Sequence, residues 1–110
     1  MGKPTGEFLQ GTLDLLILQT VEGKTLHGYA IMEAIWSASG EIVRVEEGAL
    51  YPGLHRLELK GWLKSKWGVS ENNRRAKYYS LSPLGKRQLQ AEREQWTRLS
   101  QGIGRILNPA

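Results

Sequence analysis

The chain has 110 residues, 40% of them hydrophobic, and carries 15 Lys/Arg against 11 Asp/Glu for a net charge of +4. That length supports one small domain with an appended element. The absence of cysteine excludes disulfides and thiolate metal sites, and the most apolar run, residues 13–18, is too short to cross a bilayer and holds Asp14.

Residues 1–11 are punctuated by glycine and proline and read as a flexible arm. No basic stretch with a cleavage site precedes the first apolar run, so a cytoplasmic location is expected. The spacing predicts a first helix over residues 12–22. Leu13, Leu16, Ile17 and Val21 follow one helical face, while Leu15 and Leu18 occupy another. A helix apolar around most of its circumference needs cover on two sides, which predicts a second subunit against Leu15 and Leu18.

A second helix is predicted over residues 26–39, with Thr25 as N-cap and Gly40 as terminator. Ile31, Ala34, Ile35 and Ala38 form its inner face. Ile42, Val43 and Val45 follow in an extended connector. The third helix spans residues 48–60, with Leu50, Leu54 and Leu57 as its core stripe and Pro52 near its start. Gly53 inside it weakens the helix by about 1 kcal/mol relative to alanine, so packing must hold it. Its outward face carries Ala49, Tyr51, Pro52, His55 and Arg56.

Residues 62–67 and 76–81 alternate as strands around a polar turn over residues 68–75. Leu63, Ser65 and Trp67 share one face; Lys64 and Lys66 share the other. Trp36, Trp62 and Trp67 read as packing residues. Ser82 and Pro83 are an N-cap and first-turn proline, opening a last helix over residues 83–107. Leu89, Trp96 and Ile103 recur every seven residues, and Leu99 and Ile106 lie three beyond the latter two, with Glu92 in a slot where an apolar residue is expected. A helix with such a seam is not stable alone and needs a partner surface. The dimer interface is therefore expected at Leu15, Leu18, Leu89, Trp96, Leu99, Ile103 and Ile106.

The charge is unevenly placed. Residues 60–87 hold eight Lys/Arg and one acid, Glu71, whereas residues 1–59 hold four basic and eight acidic side chains. A positive field on a hairpin that follows two short helices points to a phosphate backbone. The expected architecture is mainly α with a two-stranded β wing: a winged helix-turn-helix over residues 1–82 and a C-terminal dimerisation helix over residues 83–110. Tyr51 suits a phosphate or sugar, and Arg56 suits phosphate or a guanine edge. Lys64, Lys66, Arg74, Arg75 and Lys77 are expected to position the wing on duplex DNA. His27 and Tyr29 sit at the positive end of the second helix, where backbone N–H groups suit a phosphate. His27 and His55 lack metal-binding spacing, no cofactor motif appears, and the absence of nucleophile, Walker or paired-carboxylate motifs argues against an enzyme.

Gly48-Ala49-Leu50-Tyr51-Pro52, followed by Leu54, Arg56-Leu57-Glu58 and Gly61, resembles the recognition-helix pattern of the PadR family of transcriptional repressors. His27-Gly28-Tyr29 is similar to that family's second-helix start, and Lys77-Tyr78-Tyr79-Ser80-Leu81-Ser82-Pro83-Leu84-Gly85 to its second wing strand and last-helix start. Ala49 stands where Ser or Thr is commoner, and Gly53 is unusual inside that helix. The resemblance covers residues 9–107 and implies a homodimeric repressor on a palindromic operator, with phosphate contacts from His27 and Tyr29. The short C-terminal helix is similar to that of the small PadR proteins. That implies an effector site between subunits, where Trp96, with Glu92 and Leu99, would take a planar aromatic or cationic small molecule. Two alternatives stand beside it: a constitutive repressor with a closed, ligandless interface, and a winged-helix module whose wing binds acidic protein.

Overall fold

The computed structural model describes residues 10–109. The arm expected over residues 1–11 falls outside the described residues apart from Gln10 and Gly11, which are already helical. The order is α1 (Gln10–Thr20), β1 (Leu26–His27), α2 (Gly28–Ala38), α3 (Glu47–Leu59), β2 (Leu63–Val69), β3 (Arg75–Leu81) and α4 (Pro83–Leu107). This is a winged helix-turn-helix followed by a long C-terminal helix, mainly α as expected. Among the described residues, no helix is long and apolar enough to cross a membrane.

The core follows from the apolar spacing. Leu13, Ile17, Leu18 and Val21 from α1 and its exit meet Ile31 and Ile35 of α2, Leu50, Leu54 and Leu57 of α3, and Leu63, Tyr79 and Leu81 of the sheet. Leu89 of α4 closes the same cluster and is 1% exposed. The connector contributes Val45, while Ile42 points outward. Burial of this set is the main favourable term in folding.

Four local expectations shift. The second helix begins two residues late because His27, not Thr25, is the cap: its Nδ1 accepts the Ala30 N–H at 3.2 Å. That frees Leu26 and His27 to pair with Tyr79 and Tyr78, so the expected two-stranded wing is a three-stranded antiparallel sheet in the order β1-β3-β2. The third helix begins at Glu47, which places Pro52 past its first turn, where it withholds an N–H from the Gly48 carbonyl. The hairpin strands are longer than expected, pairing from Leu63↔Leu81 to Val69↔Arg75, and the turn shrinks to residues 70–74. Asn73 adopts φ 59° there, a conformation asparagine tolerates.

Gly53 has a packing reason. A Cβ at that position would lie 3.3 Å from Ile17 Cδ1 and 3.5 Å from Leu13 Cδ2, so glycine lets α3 lie close on α1. The start of α4 is fixed more firmly. Ser82 Oγ accepts the Gly85 N–H at 2.9 Å and donates to the Gly61 carbonyl at 2.6 Å. A Cβ on Gly85 would sit 2.0 Å from the Trp62 carbonyl oxygen.

Candidate nucleic-acid interface

The amino-terminal ends of α2 and α3 and the inner face of the hairpin converge on one open cleft of about 660 Å³. Tyr29, Tyr51, Trp67, Arg74, Arg75 and Lys77 all line it. Strand alternation explains the hairpin's share: Ser65, Trp67 and Val69 point one way along β2, and their partners Tyr79, Lys77 and Arg75 point the same way from β3. The angle of the hairpin against α3 is set by Glu58. Its carboxylate accepts the Ser65 hydroxyl at 2.6 Å and faces Lys77 Nζ at 3.1 Å. The Ser65 hydroxyl, and then the Lys77 ammonium, hold the Glu58 carboxyl below the usual carboxylate range against some desolvation; Glu58 in turn raises the Lys77 pKa.

Tyr51 stands in the mouth of the cleft, 44% exposed. Its ring lies against Gly28, where a Cβ would be 2.6 Å from Cε1, so the α2 start and the α3 start are fitted to one another. Partial burial, and then Glu47, raise its pKa and keep the phenol a neutral donor. Pro52 and His55 are exposed along the same helix. Ala49 is half-buried against the core.

The structure redirects several residues expected here. Arg56 does not face outward: its Nη2 donates to Asp14 Oδ1 on α1, and Asp14 is only 4% exposed. An acid buried in an apolar helix requires a cationic partner, and Arg56 is that partner. Lys64 and Lys66 lie on the other face of β2, beside Thr25, Tyr78 and Ser80. Lys77 reaches the cleft but is tied to Glu58. His27 spends Nδ1 on the α2 cap, turns Nε2 toward Glu71 at 3.8 Å and packs edge-on to Tyr78. Tyr29 is exposed, not packed in the core, and its hydroxyl bonds Glu33, which is the main cause of its raised pKa. The strongest cations left facing the cleft are Arg74 and Arg75.

Trp67 was expected to pack and instead is 57% exposed in the cleft, with the Arg75 guanidinium 4.6 Å from its ring centroid. The available signal was the alternation that puts Trp67 on the strand face opposite Lys64 and Lys66.

A second surface lies on α4. Trp96, Leu99, Ile103 and Ile106 are all exposed along one side of the helix. Leu15, Glu92, Trp96 and Leu99 border a recess of about 350 Å³. Glu92 accepts the Gln88 amide at 3.0 Å, and Arg93 turns away to Gln19 on α1 and Glu22 in the turn that follows it. Leu18 and Leu89, expected at a subunit interface, are instead in the core of one chain, at 0% and 1% exposure. Among the described residues, no group of three His, Cys, Asp or Glu is arranged to hold a metal ion.

The pattern of the Transcriptional regulator PadR-like family matches residues 17–91. The chain is 31% identical over 97 residues to a transcriptional regulator of Mycobacterium tuberculosis, spanning 88% of this chain and 87% of that one. It superimposes on a transcriptional regulator of Clostridium thermocellum with a TM-score of 0.81 at 28% identity, covering 90% of this chain and 96% of the other. A PadR-family transcriptional regulator of Eggerthella lenta gives a TM-score of 0.74 at 32% identity, covering 92% and 86%. The matched residues contain the α3 start, the Glu58-anchored hairpin and the Gly85 junction, and the chain belongs to the PadR-like family of transcriptional regulators, which are DNA-binding proteins.

Proposed function

We propose that two copies of this chain form a cytoplasmic repressor that grips a palindromic operator. Tyr51, Pro52 and His55 at the exposed side of α3 enter the major groove of each half-site. Arg74 and Arg75 hold the adjacent backbone, with Lys77 behind them. Successive half-sites lie roughly 34–36 Å apart, the spacing of one duplex turn. The observation that carries this reading is the convergence of an exposed helix start and two exposed arginines on one open cleft.

The exposed stripe of Trp96, Leu99, Ile103 and Ile106 supports dimerisation through α4. The recess beside Trp96 and Leu15 supports binding of a planar aromatic or cationic effector between subunits, as in the small PadR proteins that the C-terminal helix resembles. Such a ligand changes DNA affinity only through a difference in its own affinity for two dimer shapes.

The test is binding of operator, recovered by selection from random duplexes, over a salt series. Three phosphate contacts per chain correspond to a log–log slope of about −3 per half-site. Arg74→Ala should weaken binding to every sequence alike and flatten that slope by about 1. Tyr51→Ala should weaken the selected site more than random duplex. Absence of duplex binding at low salt overturns the reading in favour of an acidic-protein partner. Trp96 fluorescence titrated with planar cationic dyes tests the effector; no response leaves a constitutive repressor.

A further inference from the structure

A tryptophan on a wing strand normally seeks cover. Here Trp67 and Val69 are both largely exposed, at 57% and 65%, on the hairpin face that turns toward α3. Cations flank them. Arg75, paired across the ladder with Val69, lays its guanidinium over the Trp67 ring at 4.6 Å. Lys77, directly opposite Trp67 in the ladder, also lines the cleft and is anchored to Glu58. The strip is thus apolar along its centre and positive along its edge.

Resting on the DNA-binding reading, we infer that Trp67 is itself a DNA-contacting residue and the positioning residue for Arg75. A duplex backbone presents the complementary pattern, with apolar deoxyribose carbons alternating with anionic phosphates. The indole covers a sugar while the stacked guanidinium meets the neighbouring phosphate. An arginine free in solution must lose its rotamer freedom on binding; one already stacked on an indole has given up part of it beforehand. The contact also explains why the aromatic is exposed in the cleft that Tyr51 lines instead of packed under the hairpin. An acidic peptide offers charge to the arginine and no regular apolar partner to the indole.

The experiment compares wild type, Trp67→Phe, Trp67→Ala, Arg75→Ala and the double Trp67→Ala/Arg75→Ala variant on the selected operator. Polyglutamate serves as a polyanion without sugars. Thermal melts monitor folding, and the exposed position of Trp67 favours intact folds in all of them. Trp67→Ala should lose about five- to tenfold in duplex affinity, with Trp67→Phe restoring most of it. Arg75→Ala should lower the salt slope by about 1 per half-site, and the double variant should lose less than the product of the single losses. Duplex binding by Trp67→Ala within twofold of wild type, or independent losses in the double variant, overturns the inference while the DNA-binding reading stands. Equal losses on duplex and on polyglutamate overturn the sugar contact. A wild-type protein that binds no duplex sinks both.

Discussion

The ring of Tyr51 occupies the space that a side chain on Gly28 would need, with 2.6 Å from the hypothetical Cβ to Cε1 and 2.8 Å to the hydroxyl. Two stretches of sequence more than twenty residues apart are therefore one device. The glycine lets the start of α2 approach α3, and the approach holds Tyr51 upright at the cleft. Gly28→Ala should cost about 1–2 kcal/mol through overpacking, despite the better helix propensity of alanine. It should also lower operator affinity, because the phenol is displaced. Chemical unfolding of Gly28→Ala in wild-type and Tyr51→Ala backgrounds checks the assignment. The cost should largely vanish when the ring is absent, and an unchanged cost would place the clash elsewhere.

Gly85 gives a sharper expectation. It lies in the first turn of α4, where alanine ordinarily improves a helix. Here the added Cβ would lie 2.0 Å from the Trp62 carbonyl oxygen and 2.9 Å from its carbon, both backbone atoms that cannot swing away. Gly85→Ala should destabilise by about 3 kcal/mol or more, at the upper end of single substitutions. A thermal melt reads this directly, and a melting temperature at or above that of wild type would contradict the geometry.

Much of this arrangement was legible in the residues. The Ser82-Pro83 start and the alternation around the Asn-rich turn each use a local rule; α4 begins where its rule placed it, and the hairpin lies where the alternation placed it with its ends moved by one or two residues. What was not legible depends on partners distant in sequence. The strand at Leu26 and His27 is only two residues long and exists because β3, some fifty residues on, offers it an edge. Leu18 and Leu89 satisfied an interface pattern, yet α4 folds back on α1 and consumes them both. Arg56 lies on a helix position next to the buried stripe, and its direction was decided by Asp14, forty-two residues earlier. The clue was present, because an acid inside a leucine-rich helix requires a cation from somewhere.

Glu58 provides the pH expectation. Its folded-state pKa is lowered, chiefly by the Ser65 hydroxyl and then by Lys77, so its contribution is present above the ordinary carboxylate value of 4.5 and is lost as pH falls through the lowered value. Lys77 shifts the opposite way and keeps its charge throughout the neutral range. Glu58→Gln should therefore be less stable than wild type by about 1 kcal/mol at neutral pH, the scale of a hydrogen bond to a charged acceptor on a half-exposed site. Urea unfolding at a series of pH values should show the two curves converging on acidification below 4.5. Operator affinity of the variant should fall as well, because the hairpin is no longer held to α3. Parallel stability curves across the acid range would remove Glu58 from this role.

The pair formed by Asp14 and Arg56 decides whether that arginine serves structure or DNA. Asp14 is nearly fully buried, Arg56 is three-quarters covered, and the Arg56 Nε is buried with no hydrogen-bond partner. Removing one partner from such a pair leaves an uncompensated charge, so Asp14→Leu and Arg56→Met should each cost about 3 kcal/mol. Replacing both with apolar residues should recover most of that loss, because the cost of taking two charges out of water disappears together with their attraction. If Arg56 holds α3 on α1 and touches no phosphate, the double variant keeps the salt slope of wild-type operator binding. A slope lower by about 1 per half-site would return Arg56 to the DNA surface, since one lost phosphate contact releases about that many fewer counterions. The two measurements together are decisive: recovered stability with an unchanged slope leaves Arg56 a strut between α1 and α3.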